Sequence, residues 1–115
     1  MQTPTAYKVL TADQMAALSA TGSFAGAPID LADGYVHLST AAQVTETVDK
    51  HFAGQSDLWV AAIDLAALGE AVRWEPSRGG QLFPHIYAAL PMAAVVAHAP
   101  LTRDAAGAVV LPRPA

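Results

Sequence analysis

The sequence predicts an α+β domain built on a mainly antiparallel, split β-structure, with two helices in its first half. Three observations predict it. Two Thr-x-x-Gln signatures, Thr11 to Gln14 and Thr40 to Gln43, each open a stretch of helical spacing, as a reciprocal N-terminal cap does. The second half alternates apolar and polar residues over short runs bounded by turn signals. Strands and helices do not alternate along the chain, which argues against a doubly wound parallel sheet.

Taken in order, Tyr7–Leu10 reads as the first strand, and Thr11 caps a helix from Ala12 to about Ala20 that Gly22 closes. Residues 23–32, with Gly26 and Pro28, read as a loop. An Asp-Gly turn then leads into a strand over Asp33–Thr40, with Tyr35, His37 and Ser39 on one face and Val36 and Leu38 on the other. A helix over Ala41–Phe52 follows, with Val44, Val48 and Phe52 facing a core, and Gly54 ends it. Leu58–Asp64 is a buried strand, and residues 66–69 form a turn. Ala71–Glu75 alternates, Val72 and Trp74 against Arg73 and Glu75. Residues 76–82 form a flexible loop. Phe83–Leu90 alternates again, His85 and Tyr87 against Ile86 and Ala88. Ala93–Leu101 is a further strand, residues 104–107 a hairpin turn, and Val109–Leu111 a last short strand. The 115 residues suit one domain, with 112–115 expected as a frayed tail.

Composition narrows the function. The absence of cysteine excludes disulfides, zinc thiolates and thiol nucleophiles, and fits a reducing cytoplasm. Apolar runs such as Leu58–Ile63 fall far short of the roughly 18 residues of a membrane span, and no signal-peptide pattern is visible. With a net charge of −4 and six scattered Lys and Arg residues, the chain shows no basic stripe for DNA or long RNA. A small-molecule partner is the expectation.

Three predicted strands carry a polar face made of His, Tyr, Ser and a lone Glu, where a solvated face is usually Lys, Glu, Thr and Gln. The bland alternative is that one side of an antiparallel sheet simply meets water. The other is a shared cleft lined by His37, Ser39, Glu75, His85 and Tyr87. In such a cleft His37 or His85 would orient a phosphate or exchange protons near neutral pH. Tyr35 or Tyr87 would stack on a planar ring. Arg78, beside Gly79 and Gly80, would hold a phosphate. Glu75, next to Trp74, is either an exposed strand carboxylate or a cleft-edge group with a raised pKa. His51 is expected to complement the end of the second helix, and His98 to be structural. No ligand spacing suggests a metal, although a site from His37, His85 and Glu75 remains a third reading. Gly54-Gln-Ser56-Asp lacks the closing glycine of a hydrolase elbow, and Ser39 reads as helix entry more than as a nucleophile.

The blocks Asp33-Gly-Tyr-Val-His-Leu-Ser-Thr40, Trp74-Glu-Pro76 and Leu82-Phe-Pro-His-Ile-Tyr87 resemble a bacterial family known as domain of unknown function 952, over Tyr7 to about Pro112. Through it the chain more distantly resembles the ADP-ribosyltransferases. That resemblance implies NAD as ligand, in a cleft between the halves of a split antiparallel β-structure. It implies a nucleotide contact at Lys8, where many relatives carry His, and a second contact at the His37/Ser39 face. It implies a catalytic carboxylate at Glu75, although Arg73 stands where toxin-like members carry Gln or Glu. His85 and Tyr87 have no counterpart in the transferases.

Overall fold

The structure is a computed structural model and describes residues 5–113. It is α+β, with three antiparallel sheets. Strands β1 (Thr5–Thr11), β4 (Leu58–Asp64) and β8 (Val95–Pro100) form one sheet in the order β1-β4-β8. A second has the order β3-β6-β5, from Val36–His37, Leu82–Ile86 and Val72–Pro76. The short strands β2 (Ser23–Phe24) and β7 (Leu90–Pro91) pair separately. The backbones of the β1 and β3 segments are bridged where Tyr7 N–H donates to the Ser39 carbonyl (2.7 Å) and Ser39 N–H to the Tyr7 carbonyl (2.9 Å). Among the described residues, no helix is long and apolar enough to cross a membrane.

Strand β1 serves two cores. Ala6 and Leu10 join the main one with Val36, Ile63, Ile86 and Leu90. Val9, on the opposite face, packs into a smaller one with Val44, Val48, Leu58 and Val109. Helix α1 (Ala12–Thr21) begins as expected: Gln14 N–H donates to Thr11 Oγ1 at 3.2 Å, and Thr11 N–H to Gln14 Oε1 at 2.9 Å. Gly22 ends it at φ 85°, a left-handed conformation that glycine adopts without the backbone strain most side chains bring.

Several boundaries differ from the sequence reading. Residues 23–32 are not a loop; they hold β2 and the start of a third helix, α2 (Pro28–Asp33). Pro28 suits the first helical turn, because its missing N–H would have no partner there. Asp30 Oδ2 reaches back to accept from Ala27 N–H at 2.7 Å; this is half a capping box, since Ala27 has no side-chain acceptor of its own. The helix buries Asp30 and exposes Ile29 and Leu31, so no apolar stripe announced it. Asp33 therefore ends α2 instead of starting a strand, and β3 shrinks to Val36–His37.

Helix α3 (Val44–His51) starts three residues later than Ala41. The capping glutamine still acts: Thr40 N–H donates to Gln43 Oε1 at 3.0 Å, closing a turn ahead of the helix. Trp74 is 46% exposed, although Val72 on the same face of β5 packs against the main core. Strand β6 stops at Ile86, and a short 3₁₀ turn (Met92–Ala94) precedes β8. Residues 109–111 form no strand, although Val109 bridges to Arg103 across the expected Asp104–Gly107 turn. The predicted tail falls partly on residues 114–115, outside the described residues.

Candidate functional site

Beside the Tyr7–Ser39 junction lies a cleft of about 690 Å³, bordered by Lys8, Asp30, His37, Ser39 and His85 among others. Backbone geometry assembles it. Strands β3 and β6 place His37 directly opposite His85. Lys8 falls in register between Ala6 and Leu10, on the face that meets the main core, and pairs across β4 with the small Ala61. Its ammonium is buried, and Asp30 answers it.

Asp30, on the N-terminal turn of α2, is the centre of a buried network. Its Oδ1 accepts from Lys8 Nζ (3.2 Å), from the His37 amide (3.0 Å) and from His37 Nδ1 (2.6 Å). Its Oδ2 takes a second Lys8 contact (3.0 Å) in addition to Ala27 N–H. Burial raises the Asp30 pKa. The His37 side-chain hydrogen bond, the Lys8 charge and the two backbone N–H groups more than offset that, holding the carboxyl far below its ordinary value of 3.8. Burial pulls the Lys8 ammonium below its own ordinary value, against the support of Asp30. The second nitrogen of His37, Nε2, meets Asp33 Oδ2 at 2.9 Å.

A second imidazole–carboxylate pair lies alongside. His85 Nδ1 is 2.7 Å from Glu75 Oε1, and the same oxygen accepts from Tyr87 O–H at 2.7 Å. These two hydrogen bonds hold the Glu75 carboxyl below its ordinary value, the reverse of the raised pKa considered from sequence. The bond to Glu75 pushes the Tyr87 phenol up. The Tyr35 phenol also rises, from burial first and then from the charges of Asp33 and Glu75. Tyr35 stacks on His85 with centroids 4.1 Å apart and contacts His37 (4.7 Å) and Tyr87 (5.2 Å). Arg73 lies 5.2 Å over the Tyr87 ring.

The sequence-selected residues therefore occupy one neighbourhood, though not one wall. Lys8, His37, Ser39 and His85 border the large cleft; Tyr35 and Tyr87 border a smaller neighbouring hollow of about 260 Å³; Glu75 stands behind His85. Ser39 Oγ is paired with Thr47 Oγ1 at 2.8 Å, which ties it to helix α3. The Arg78 side chain lies outside the described residues. His51 ends α3 as expected and also borders the cleft. His98 is exposed on β8 against Trp59, not enclosed in an apolar strand. Among the described residues, no three His, Asp or Glu side chains gather as a metal would require.

Sequence reasoning missed Asp30. Its one signal was the Pro28-Ile-Asp30 spacing, in which a proline at the first helical position precedes a carboxylate able to cap backwards. An acid-stability prediction follows from the network. The folded-state pKa of Asp30 is depressed, so its stabilisation is fully present above the ordinary value and is lost as pH falls below it. The urea midpoint is expected to stay level down to about pH 5 and then decline, with a shallower decline in Asp30→Asn. Parallel profiles for the two proteins would refute this.

The fold and the cleft define an α+β domain in which two imidazole–carboxylate pairs meet on paired strands. The chain belongs to the family described as protein of unknown function (DUF952), whose model matches residues 9–98. It is similar to protein CC0527 from Caulobacter crescentus. The crystal structure of that protein aligns with a TM-score of 0.83 at 42% identity, over 92% of this chain and 93% of that one. Its solution NMR structure aligns with a TM-score of 0.77 at 43% identity, over 90% of each chain. No curated protein matches the sequence.

Proposed function

We propose that the domain binds NAD or a related phosphorylated nucleotide in the cleft, on an ADP-ribosyltransferase-like fold, and cleaves the nucleotide or transfers ADP-ribose. The observation that carries this reading is the pairing of His37–Asp30 with His85–Glu75 beside a cleft of about 690 Å³. That volume suits a ligand of nucleotide size. In the reaction, the bond from ribose C1′ to the nicotinamide nitrogen breaks, and its electron pair leaves with nicotinamide. Positive charge grows on the sugar, and the ionised Glu75 is the carboxylate that would stabilise it. Water or an acceptor hydroxyl then attacks C1′ and yields its proton to an imidazole.

A second reading, a non-catalytic ligand-binding or sensor domain on the same fold, is favoured by one observation. Glu75 does not border the large cleft, and its Oε1 already serves His85 and Tyr87.

Two measurements decide. Melting is followed with NAD, ADP-ribose and AMP, where a ligand at 100 times its Kd adds about 2.7 kcal/mol. NAD consumption is compared between the protein and Glu75→Ala. A melting shift with faster consumption by the unaltered protein supports the enzyme. A shift with equal background rates supports the sensor. No shift with any nucleotide sinks the nucleotide reading.

A further inference from the structure

Among the described residues, His85 Nε2 is the one buried side-chain nitrogen or oxygen without a hydrogen-bond partner. Such atoms are rare in folded proteins and mark places where something else completes the bonding. The surroundings of the ring fix its chemistry. An ionised carboxylate only accepts hydrogen bonds, so the Nδ1 facing Glu75 carries the proton. In the neutral ring Nε2 is then a bare acceptor. Tyr35 covers one face of the ring, His37 meets it edge-on at 5.3 Å, and Glu75 closes the Nδ1 edge. His85 also borders the cleft, and with its other nitrogen engaged, Nε2 is the ring atom left for a ligand to complete.

Among the described residues bordering the cleft, the buried cation is already paired. The Lys8 ammonium is already matched by both oxygens of Asp30. The Asp30 oxygens are filled by Lys8, His37 and Ala27. We infer that His85 Nε2 accepts the ligand's hydrogen bond, and that the group it reads is a neutral N–H or O–H donor — a carboxamide, a nucleobase amine or a ribose hydroxyl — and not a phosphate. Through its Oε1, which also accepts from Tyr87, Glu75 in addition holds His85 in the accepting tautomer. The inference rests on the cleft being the nucleotide site and names which part of the nucleotide meets His85.

The test uses the full chain with ¹⁵N-labelled imidazoles, observed by NMR while melting is followed in parallel. The probes are nicotinamide, adenosine and inorganic phosphate. In the free protein, His85 is expected to carry its proton on Nδ1. Nicotinamide or adenosine moves the Nε2 resonance, and phosphate does not. Glu75→Gln keeps the fold, mixes the tautomers and weakens binding of the responsive probe about tenfold, the scale of one hydrogen bond. A proton found on Nε2 in the free protein overturns the inference whatever binds. So does a probe that raises the melting temperature without moving Nε2, and this outcome leaves the nucleotide reading standing. A phosphate response as large as adenosine's overturns the donor assignment. No response to any probe, in melting or in resonance, removes the inference together with the site.

Discussion

Asp30→Ala is expected to destabilise the domain by about 3–5 kcal/mol, the usual cost of removing one partner from a buried ion pair. The Asp30 side chain is fully buried and that of Lys8 nearly so, at 0% and 7% exposure. Truncation strands the Lys8 ammonium and removes the acceptor for the His37 and Ala27 amides. In urea, where slopes for small domains run about 1–3 kcal/mol per molar, the midpoint falls by at least about 1 M. Lys8→Met in the same background restores part of the loss, because it removes the unpaired charge and leaves the two amides unsatisfied. A loss under about 1 kcal/mol would show that Lys8 reaches water when freed, and that the network does not hold α2 in place.

Ile86→Ala is expected to cost about 2–5 kcal/mol through a cavity that its neighbours fill only partly. Ile86 is fully buried on the middle strand of its sheet, opposite Val36 on one side and Val72 on the other. It is also the residue after His85, so the cavity opens on the face of β6 opposite the imidazole that Glu75 and Tyr35 hold. Leu82→Ala, on the same strand but 52% exposed, serves as the control and is expected to change stability by less than about 0.5 kcal/mol. Equal losses for the two variants would contradict the placement of the core.

Local rules carried the sequence reading as far as local rules decide structure. Thr11 and Gln14 cap each other within four residues of chain, and that helix is where the pattern placed it. The Val36/Leu38 and His37/Ser39 alternation marked the right face, because Val36 and Leu38 are both in the main core. The misreadings have tertiary causes. Trp74 alternates with Glu75 as a core residue would, but the core reaches only as far along β5 as Val72 and leaves Trp74 46% exposed. Helix α2 has no apolar periodicity, since it is held by one buried carboxylate instead of a hydrophobic stripe. Asp30 was invisible as a site residue for the same reason: both of its side-chain partners, Lys8 and His37, come from other strands. The gathering of His37, His85 and Glu75 was proposed from residue type, but only strand register makes them neighbours.

The pairing of β3 with β6 also bears on how the chain folds. His37 meets His85, and β1 meets β4, only after long stretches of intervening chain have been closed into loops. Each closure costs entropy before any contact compensates it, so folding is set by these late events and not by the locally capped helix α1. A chain that has formed α1 but not the β3–β6 pair can hold each imidazole against its own carboxylate, which is local in sequence, but has not set His37 opposite His85. The cleft, bordered by residues of β1, β3 and β6, is therefore complete only when these distant segments of chain have come together.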